Sequence, residues 1–396
     1  MLCPYQKTVI EGRVLESEYE CIQVRSDDNA MHSICGVNAK KGDEVIVTIR
    51  SSLFHLVKIN DLKIVDAGTS EKLIAYLESM SLCEKLGQMM IVRTQENLTE
   101  ELDFIPGGYI LFANDFRNKS AEEIEQMVRS LQQQKHGALV MVDEEGGDVV
   151  RVSSVLFEEG YPSAQEDYLS GGWDAVKKNL INRSQMLASL GFQVNLNPVA
   201  DISTNPEDYI YSRTFGQDEI MTSQYVSLAV QTQKEAGLLS CLKHFPGYGN
   251  NRDTHRGFSV DYRSLNEYRI YDFLPFQAGV DSGAELVMMS HIIMSSVDSQ
   301  TPASLSSNVH QLLKEELNYD GLVITDDLTM DAIEHFTSNP LVSALSAGNH
   351  LLLTTDPKVT IDELVEAVEK NQLSLNQIDE SVLKILEIKE KLGCLR

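Results

Sequence analysis

Two histidines, a lysine and an aspartate lie close together in Lys243-His244-Phe245-Pro246-Gly247 and the following Asp253-Thr254-His255. The first group comes just past a short apolar run, 238–242, that reads as a strand. Charged groups at the end of a buried strand cost desolvation energy that packing does not return, so the cluster points to a site handling protons and polar ligands. In Asp-x-His a carboxylate can accept a hydrogen bond from one ring nitrogen while the other nitrogen faces a substrate. That is proton-transfer chemistry.

Other charged residues follow apolar runs in the same way. Asp143-Glu144-Glu145 follow 138–142, Asp201 follows 193–197, His291 follows 285–289 and Asp326-Asp327 follow 321–325. Each alone has a structural explanation: Asp201, Asp327 or Glu145 as a helix N-cap, His291 as a histidine satisfied inside the fold. Gathered on one rim they are harder to explain that way. A carboxylate attacking an electrophilic carbon would split one hard displacement into two easier ones. A histidine titrating near neutrality would protonate the leaving oxygen and then deprotonate water. There is no H-E-x-x-H and no clear ligand spacing, so a metal hydrolase is the weaker reading and neither metal nor cofactor is expected. No G-x-S-x-G elbow supports Ser-His-Asp catalysis.

The elements that must position these residues are strands and helices in alternation. Short apolar runs at 88–92, 108–112, 138–142, 193–197, 238–242, 285–289, 321–325 and 350–354 read as strands, and near-continuous apolar strands are those buried on both faces of a parallel sheet. Amphipathic stretches at 121–134, 174–190, 223–236 and 378–392 read as helices. The fold expected is α/β, a (β/α)8 barrel of the TIM type over residues 70–396, whose active site lies at the carboxyl ends of the strands. A doubly wound sheet is the alternative, but it usually carries a Gly-rich nucleotide loop after its first strand, and none is present.

Residues 1–66 differ, with β-rich runs at 9–10, 21–24, 44–49 and 56–59 and turns at 26–29 and 40–43. They suggest a small antiparallel barrel or sandwich, read as a packing or oligomerisation module rather than one binding nucleic acid or glycan. Asp66-Ala67-Gly68-Thr69-Ser70 reads as a linker ending in a helix N-cap.

Lys and Arg number 33 against 59 Asp and Glu, a formal net charge of -26. So negative a surface repels phosphate backbones and anionic lipid, which argues against nucleic-acid or membrane partners. The start, MLCPYQKTVIEGR, has no basic segment leading into an apolar run, and no window approaches the ~18 apolar residues of a membrane span. Six cysteines without a C-x-x-C pair read as reduced thiols, Cys241 as a core residue, and the expected location is cytoplasmic.

Several ordered motifs carry a resemblance: Asp143-Glu144-Glu145-Gly146-Gly147 with Arg151, Asn197-Pro198-Val199-Ala200-Asp201, Ser212-Arg213-Thr214-Phe215-Gly216, Lys243-His244-Phe245-Pro246-Gly247, Asp253-Thr254-His255, and Ile324-Thr325-Asp326-Asp327-Leu328-Thr329-Met330. From about Ser70 onward the chain resembles the single-barrel members of glycoside hydrolase family 3, particularly bacterial β-N-acetylglucosaminidases. The resemblance implies that Asp326 is the nucleophile forming a covalent glycosyl-enzyme. It implies that His255 is the acid/base on a mobile loop, with Asp253 its orienting partner. Asp143, Arg151, Arg213, Lys243 and His244 match positions that hold the sugar hydroxyls and the N-acetyl group. Most retaining glycosidases use two carboxylates, so a histidine acid departs from the common template. It also repels an anionic acceptor less, which makes phosphate a conceivable replacement for water.

The resemblance implies a retaining exo-β-N-acetylglucosaminidase acting on muropeptide-like or chitooligosaccharide fragments, a small-molecule partner. Two-domain β-glucosidases of the family place the acid in a second domain, for which the residues after 392 leave no room. A β-glucosidase or β-xylosidase, a phosphorylase and a non-catalytic sugar-binding homologue are the alternatives. The oligomeric state is left open. Two departures stand out: Tyr248 occupies the place of a second family histidine, and the loop 243–255 is shorter by about one residue. A shorter loop that displaced His255 by ~1 Å would cost on the order of a hundredfold in rate.

Overall fold

Apolar runs with nowhere to face but a core become the inner strands of the fold. In this computed structural model the described residues are the strands 6–18, 21–26, 31–35, 44–51 and 57–65, and residues 71–93, 102–254, 257–356 and 358–395. The expected linker 66–70, the turns within 27–29 and 40–43, and His255 lie outside them. The chain divides into two compact units, Met1–Ser81 with Ser374–Leu383, and Leu82–Leu373 with Lys384–Arg396.

In the larger unit eight strands build a parallel barrel: β6 (Met90–Arg93), β7 (Gly108–Leu111), β8 (Leu139–Val142), β9 (Val194–Asn195), β10 (Leu239–Phe245), β12 (Leu286–Met289), β14 (Leu322–Thr325) and β15 (Leu352–Thr354). Hydrogen-bonded neighbours run β14-β12-β10-β9-β8-β7-β6-β15. The two ends meet through a parallel bridge between Ile324 and Leu351, with Thr325 N–H donating to Leu351 O at 3.1 Å. Every residue of β7, β8, β12 and β14 is buried, as strands enclosed by side chains within and helices without must be. Burial of each Leu, Ile, Val or Met there stabilises by about 1.5–3 kcal/mol before entropy is charged against it.

All eight expected strands are present, with shifted ends. Gln88 closes the helix Leu82–Gln88, so β6 begins later. β10 runs further than expected: Phe245 pairs with Met289, and Ala200 N–H donates to Lys243 O at 2.7 Å. Lys243 and His244 therefore belong to the strand itself, not to the loop after it. Helices start earlier than periodicity alone suggests because capping residues decide their starts. Ser163 and Glu166 form a reciprocal capping box that begins the helix Ala164–Ser189, which breaks at Gly172 (φ 62°). Asp218 accepts from Met221 N–H and opens the helix Glu219–Glu235. Helices Ala121–Gln132 and Leu375–Lys391 sit close to their expected bounds. The core between strands and helices includes Phe215 stacked on Tyr225, with Phe245 and Phe276 edge to face.

Two short strands, β11 (Ser259–Asp261) and β13 (Ile292–Met294), pair in parallel beyond the ends of β10 and β12. In the smaller unit β1 (Gln6–Glu18), β2 (Cys21–Ser26), β3 (Met31–Cys35), β4 (Glu44–Ser51) and β5 (Val57–Val65) form one antiparallel sheet in the order β3-β2-β1-β4-β5. β3 was not expected, because Met31-His32-Ser33-Ile34-Cys35 has little alternation of its own and becomes a strand by pairing with β2. Ser26 falls in β2 rather than in the turn. Among the described residues no helix is long and apolar enough to cross a membrane, and no group of three or more His, Cys, Asp or Glu is placed to hold a metal ion.

Candidate active site

The carboxyl ends of the parallel strands surround a cleft of about 400 Å³. Its lining includes Asp143, Arg151, Arg213, Lys243, His244 and Asp326, so six of the sequence-derived site residues come together there. Four of them owe their place to a strand end: Asp143 follows β8, Lys243 and His244 lie in the last residues of β10, and Asp326 follows β14, while Arg213 closes the helical turn Tyr211–Arg213 and Arg151 lies in the loop after β8.

Lys243 is 1% exposed, and a buried ammonium needs anions. Its Nζ lies 2.6 Å from Asp143 Oδ1 and 2.5 Å from Glu145 Oε1. Glu145 also accepts two bonds from Arg213, Nε to Oε2 at 3.0 Å and an Nη to Oε1 at 2.8 Å. Burial alone would raise the Glu145 carboxyl, but Arg213 and Lys243 outweigh it and hold the group far below the carboxylate range. Burial pulls Lys243 and Arg213 down, yet the carboxylates around them raise both, so they stay charged. Glu145 is thus no helix cap, and its role as the hub of the cationic cluster was missed in the sequence. The signal was present in the third charge of Asp143-Glu144-Glu145, but nothing local shows which of three acids turns inward.

His244 is oriented from both sides. Its Nδ1 lies 2.7 Å from Asp201 Oδ2, and its Nε2 lies 3.2 Å from an Arg213 Nη. Arginine can only donate, so Nε2 accepts and the ring proton sits on Nδ1, pointing at Asp201. Asp201 also takes the His244 N–H at 3.1 Å and, through Oδ1, the Tyr248 N–H at 2.8 Å. It too is an internal anchor and not a helix cap.

The turn carrying Asp326 is tied down by its neighbours. Asp326 N–H donates to Met289 O at 3.0 Å, and its Oδ1 accepts the Asp327 N–H at 2.8 Å. Asp327 gathers Thr329 N–H (3.0 Å), Thr329 Oγ1 (2.9 Å) and Thr355 Oγ1 (2.6 Å), so it fastens the turn instead of starting a helix. His291 supports the same turn: Nε2 donates to Asp327 O at 2.9 Å, leaving Nδ1 to accept from Ser304 Oγ at 2.7 Å. Both ring nitrogens are engaged, which is the satisfied histidine anticipated from sequence.

Glu144 fixes Arg151. Its carboxylate accepts Arg151 N–H and Val152 N–H, each at 2.8 Å, folding residues 151–153 over the cleft. The Arg151 guanidinium lies 5.6 Å from the Phe112 ring centre and that of Arg93 lies 4.7 Å from it. Among the described residues neither buried Nε has a hydrogen-bond partner.

The loop after β10 begins at Gly247, where φ is 124° and an added Cβ would come within 2.3 Å of Asp272 Oδ1. Only glycine meets both conditions. Beyond it Asn251 Nδ2 donates to Asp261 Oδ2 at 2.8 Å, and Arg263 bridges Asp261 (2.8 Å) and Asp272 (2.6 Å). Asp253 sits in this loop near Tyr209, whose phenol is pushed up by burial and by the Asp253 charge, while Tyr209 itself lines the cleft.

Residues 81–388 match the glycosyl hydrolase family 3 N terminal domain. A curated relative, a beta-hexosaminidase of Hydrogenovibrio crunogenus, is 30% identical over 281 residues, covering 67% of this chain and 76% of that one. The solved structure of Mycobacterium tuberculosis LpqI superposes with a TM-score of 0.73 at 26% identity, over 81% of this chain and 97% of that one. A family 3 beta-N-acetylglucosaminidase from Paenibacillus sp. superposes equally, TM-score 0.73 at 27% identity, over 80% of this chain; the chain spans 63% of that enzyme. The matched span takes in all eight barrel strands and every charged strand end around the cleft, and the chain belongs to glycosyl hydrolase family 3.

Proposed function

We propose that the protein is a retaining exo-β-N-acetylglucosaminidase releasing terminal β-linked N-acetylglucosamine from small oligosaccharides, muropeptide-like fragments or chitooligosaccharides, in the cytoplasm. The observation that carries the reading is that the carboxylate of Asp326 shares the lining of one cleft of about 400 Å³ with the immobilised side chains of Arg213, Lys243 and His244. The names of the similar proteins, beta-hexosaminidase and beta-N-acetylglucosaminidase, support the same substrate class.

In this reading an Asp326 oxygen attacks the anomeric carbon as the glycosidic C–O bond breaks, and the departing oxygen takes a proton from His255. A glycosyl ester of Asp326 results. His255 then removes a proton from water, whose oxygen attacks the same carbon and frees Asp326. Two inversions give net retention. Asp253 orients His255, while Asp143, Arg151, Arg213, Lys243 and His244 hold the sugar.

Hydrolysis of a chromogenic β-N-acetylglucosaminide beside the matching β-glucoside tests the reading. Turnover of the N-acetyl substrate, abolished in Asp326→Ala and severely reduced in His255→Ala, is expected, with NMR showing the β-anomer formed first. Turnover unaffected by Asp326→Ala would sink the assignment. Inactivity of the folded wild type on both would favour a non-catalytic sugar-binding role.

A further inference from the structure

The family-3 pattern resembled here has a histidine where this chain has Tyr248, in a loop longer by about one residue. Tyr248 is 3% exposed, and its phenol oxygen uses its full hydrogen-bonding capacity within the loop. Its O–H donates to Arg252 O at 3.0 Å, and the oxygen accepts the Thr254 N–H at 2.9 Å and the Thr254 hydroxyl at 3.2 Å. A neutral imidazole is shorter and has one donor and one acceptor, so it cannot close three such bonds. At its other end the Tyr248 N–H donates to Asp201, the carboxylate that also orients His244.

The second tyrosine comes from a different part of the barrel rim. Tyr209, just before the single helical turn Tyr211–Arg213, places its ring 5.7 Å from that of Tyr248. Burial pushes its phenol up, and the charge of the nearby Asp253 carboxylate pushes it further. The Arg252 carbonyl and the Thr254 amide, on either side of Asp253, are held from within the loop by Tyr248, and Tyr209 packs against that brace from across the rim.

We propose that Tyr209 and Tyr248 form a clasp that sets the position of Asp253, with Tyr248 as the internal brace of the loop and Tyr209 packed on that brace from across the rim, beside the carboxylate. Both are positioning residues for proton transfer. The inference rests on the proposed glycosidase reading for the role of Asp253, but the clasp itself does not.

Tyr209→Phe and Tyr248→Phe test it against two β-N-acetylglucosaminides. One releases 2,4-dinitrophenolate, which departs without a proton; the other is the methyl glycoside, which needs one. For the methyl glycoside kcat is expected to fall about tenfold or more in each variant with KM changed less than about twofold, and the fall on the dinitrophenyl substrate to be at least about fivefold smaller. Equal losses on both substrates, or none, would overturn the positioning role. A readout independent of turnover is trypsin cleavage after the exposed Arg252. It should run about tenfold faster in Tyr248→Phe, the equivalent of about one lost hydrogen bond in local opening. Unchanged protection would overturn the clasp whatever the enzyme hydrolyses. An inactive wild type with faster cleavage of Tyr248→Phe would fail the glycosidase reading alone. An active wild type, a dead Asp326→Ala and tyrosine variants at the wild-type rate would fail the clasp alone.

Discussion

Replacing Glu145 by Gln keeps the side-chain shape and removes one charge from the centre of the cluster. The carboxylate now accepts two bonds from Arg213, at 3.0 and 2.8 Å, and lies 2.5 Å from Lys243. An amide has one acceptor oxygen, so its NH2 would have to face either the guanidinium or the ammonium. Removing one partner from a buried ionic group costs about 3–5 kcal/mol, because the remaining charges are left uncompensated. Asp143 stays 2.6 Å from Lys243 and neutralises part of the loss, which places the expected cost near the lower end, about 3 kcal/mol. For a unit of this size roughly 2 °C of Tm accompanies each kcal/mol, so calorimetry should show a fall of about 6 °C. Arg213 and Lys243 would also drift from their aim, and about a hundredfold loss in kcat/KM is expected. The pH dependence has a definite sign. A carboxyl held below its unfolded value adds stability that is present above that value and lost as pH falls through the folded one. The gap between wild type and Glu145→Gln should therefore be full at neutral pH and narrow in acid. Destabilisation below about 1 kcal/mol with activity retained would refute the account of Glu145 as the hub.

Two more outcomes follow from particular contacts. Lys389 is fully buried, with Nζ donating to Gln88 Oε1 (2.6 Å) and Gly137 O (2.8 Å), and burial pulls its ammonium down to about 7. The unfolded chain then binds more protons between about pH 7 and 10, so wild-type stability relative to Lys389→Met should rise by up to about 1.4 kcal/mol per pH unit there; parallel curves would exclude a neutralised lysine. Gly247→Ala forces a side chain into a φ of 124° and against Asp272, so urea unfolding should show a loss of about 2 kcal/mol or more, and a neutral variant would contradict the placement of this loop.

Barrel and site were legible in the sequence to different depths. The strands of the barrel announce themselves because residues such as Leu139-Val140-Met141-Val142 have no polar face, which only a doubly covered sheet tolerates. Asp143, Lys243, His244 and Asp326 were found because charge at the end of such a run has no structural return, whereas Arg151 and Arg213 came only from the family resemblance. What stayed hidden depends on register between distant segments. Glu145 and Asp201 looked like helix caps, since an acid after a strand reads the same whether it meets its own helix or an arginine or histidine some 40–70 residues away. Lys389 reads as one more charge on an amphipathic helix, and only the fold shows it turned inward. β3 had no periodicity of its own and needed β2 to exist.

The pairing pattern around the cleft also bears on why so many charges gather at a site proposed for an uncharged sugar. A flexible lysine and arginine would pay for their own ordering each time a ligand bound, and most of their attraction would be to water. Here the carboxylates hold the cations in place beforehand. Among the described residues Arg213 uses three of its five N–H donors on Glu145 and His244, and Lys243 uses two of its three on Asp143 and Glu145. The remaining donors are fixed in direction and neutralised in charge. Such an array can hydrogen-bond hydroxyl and carbonyl oxygens strongly without drawing in anions, which a bare pair of cations would do. In the proposed reading, the acids that are surplus to catalysis are what suit the two cations to a neutral ligand.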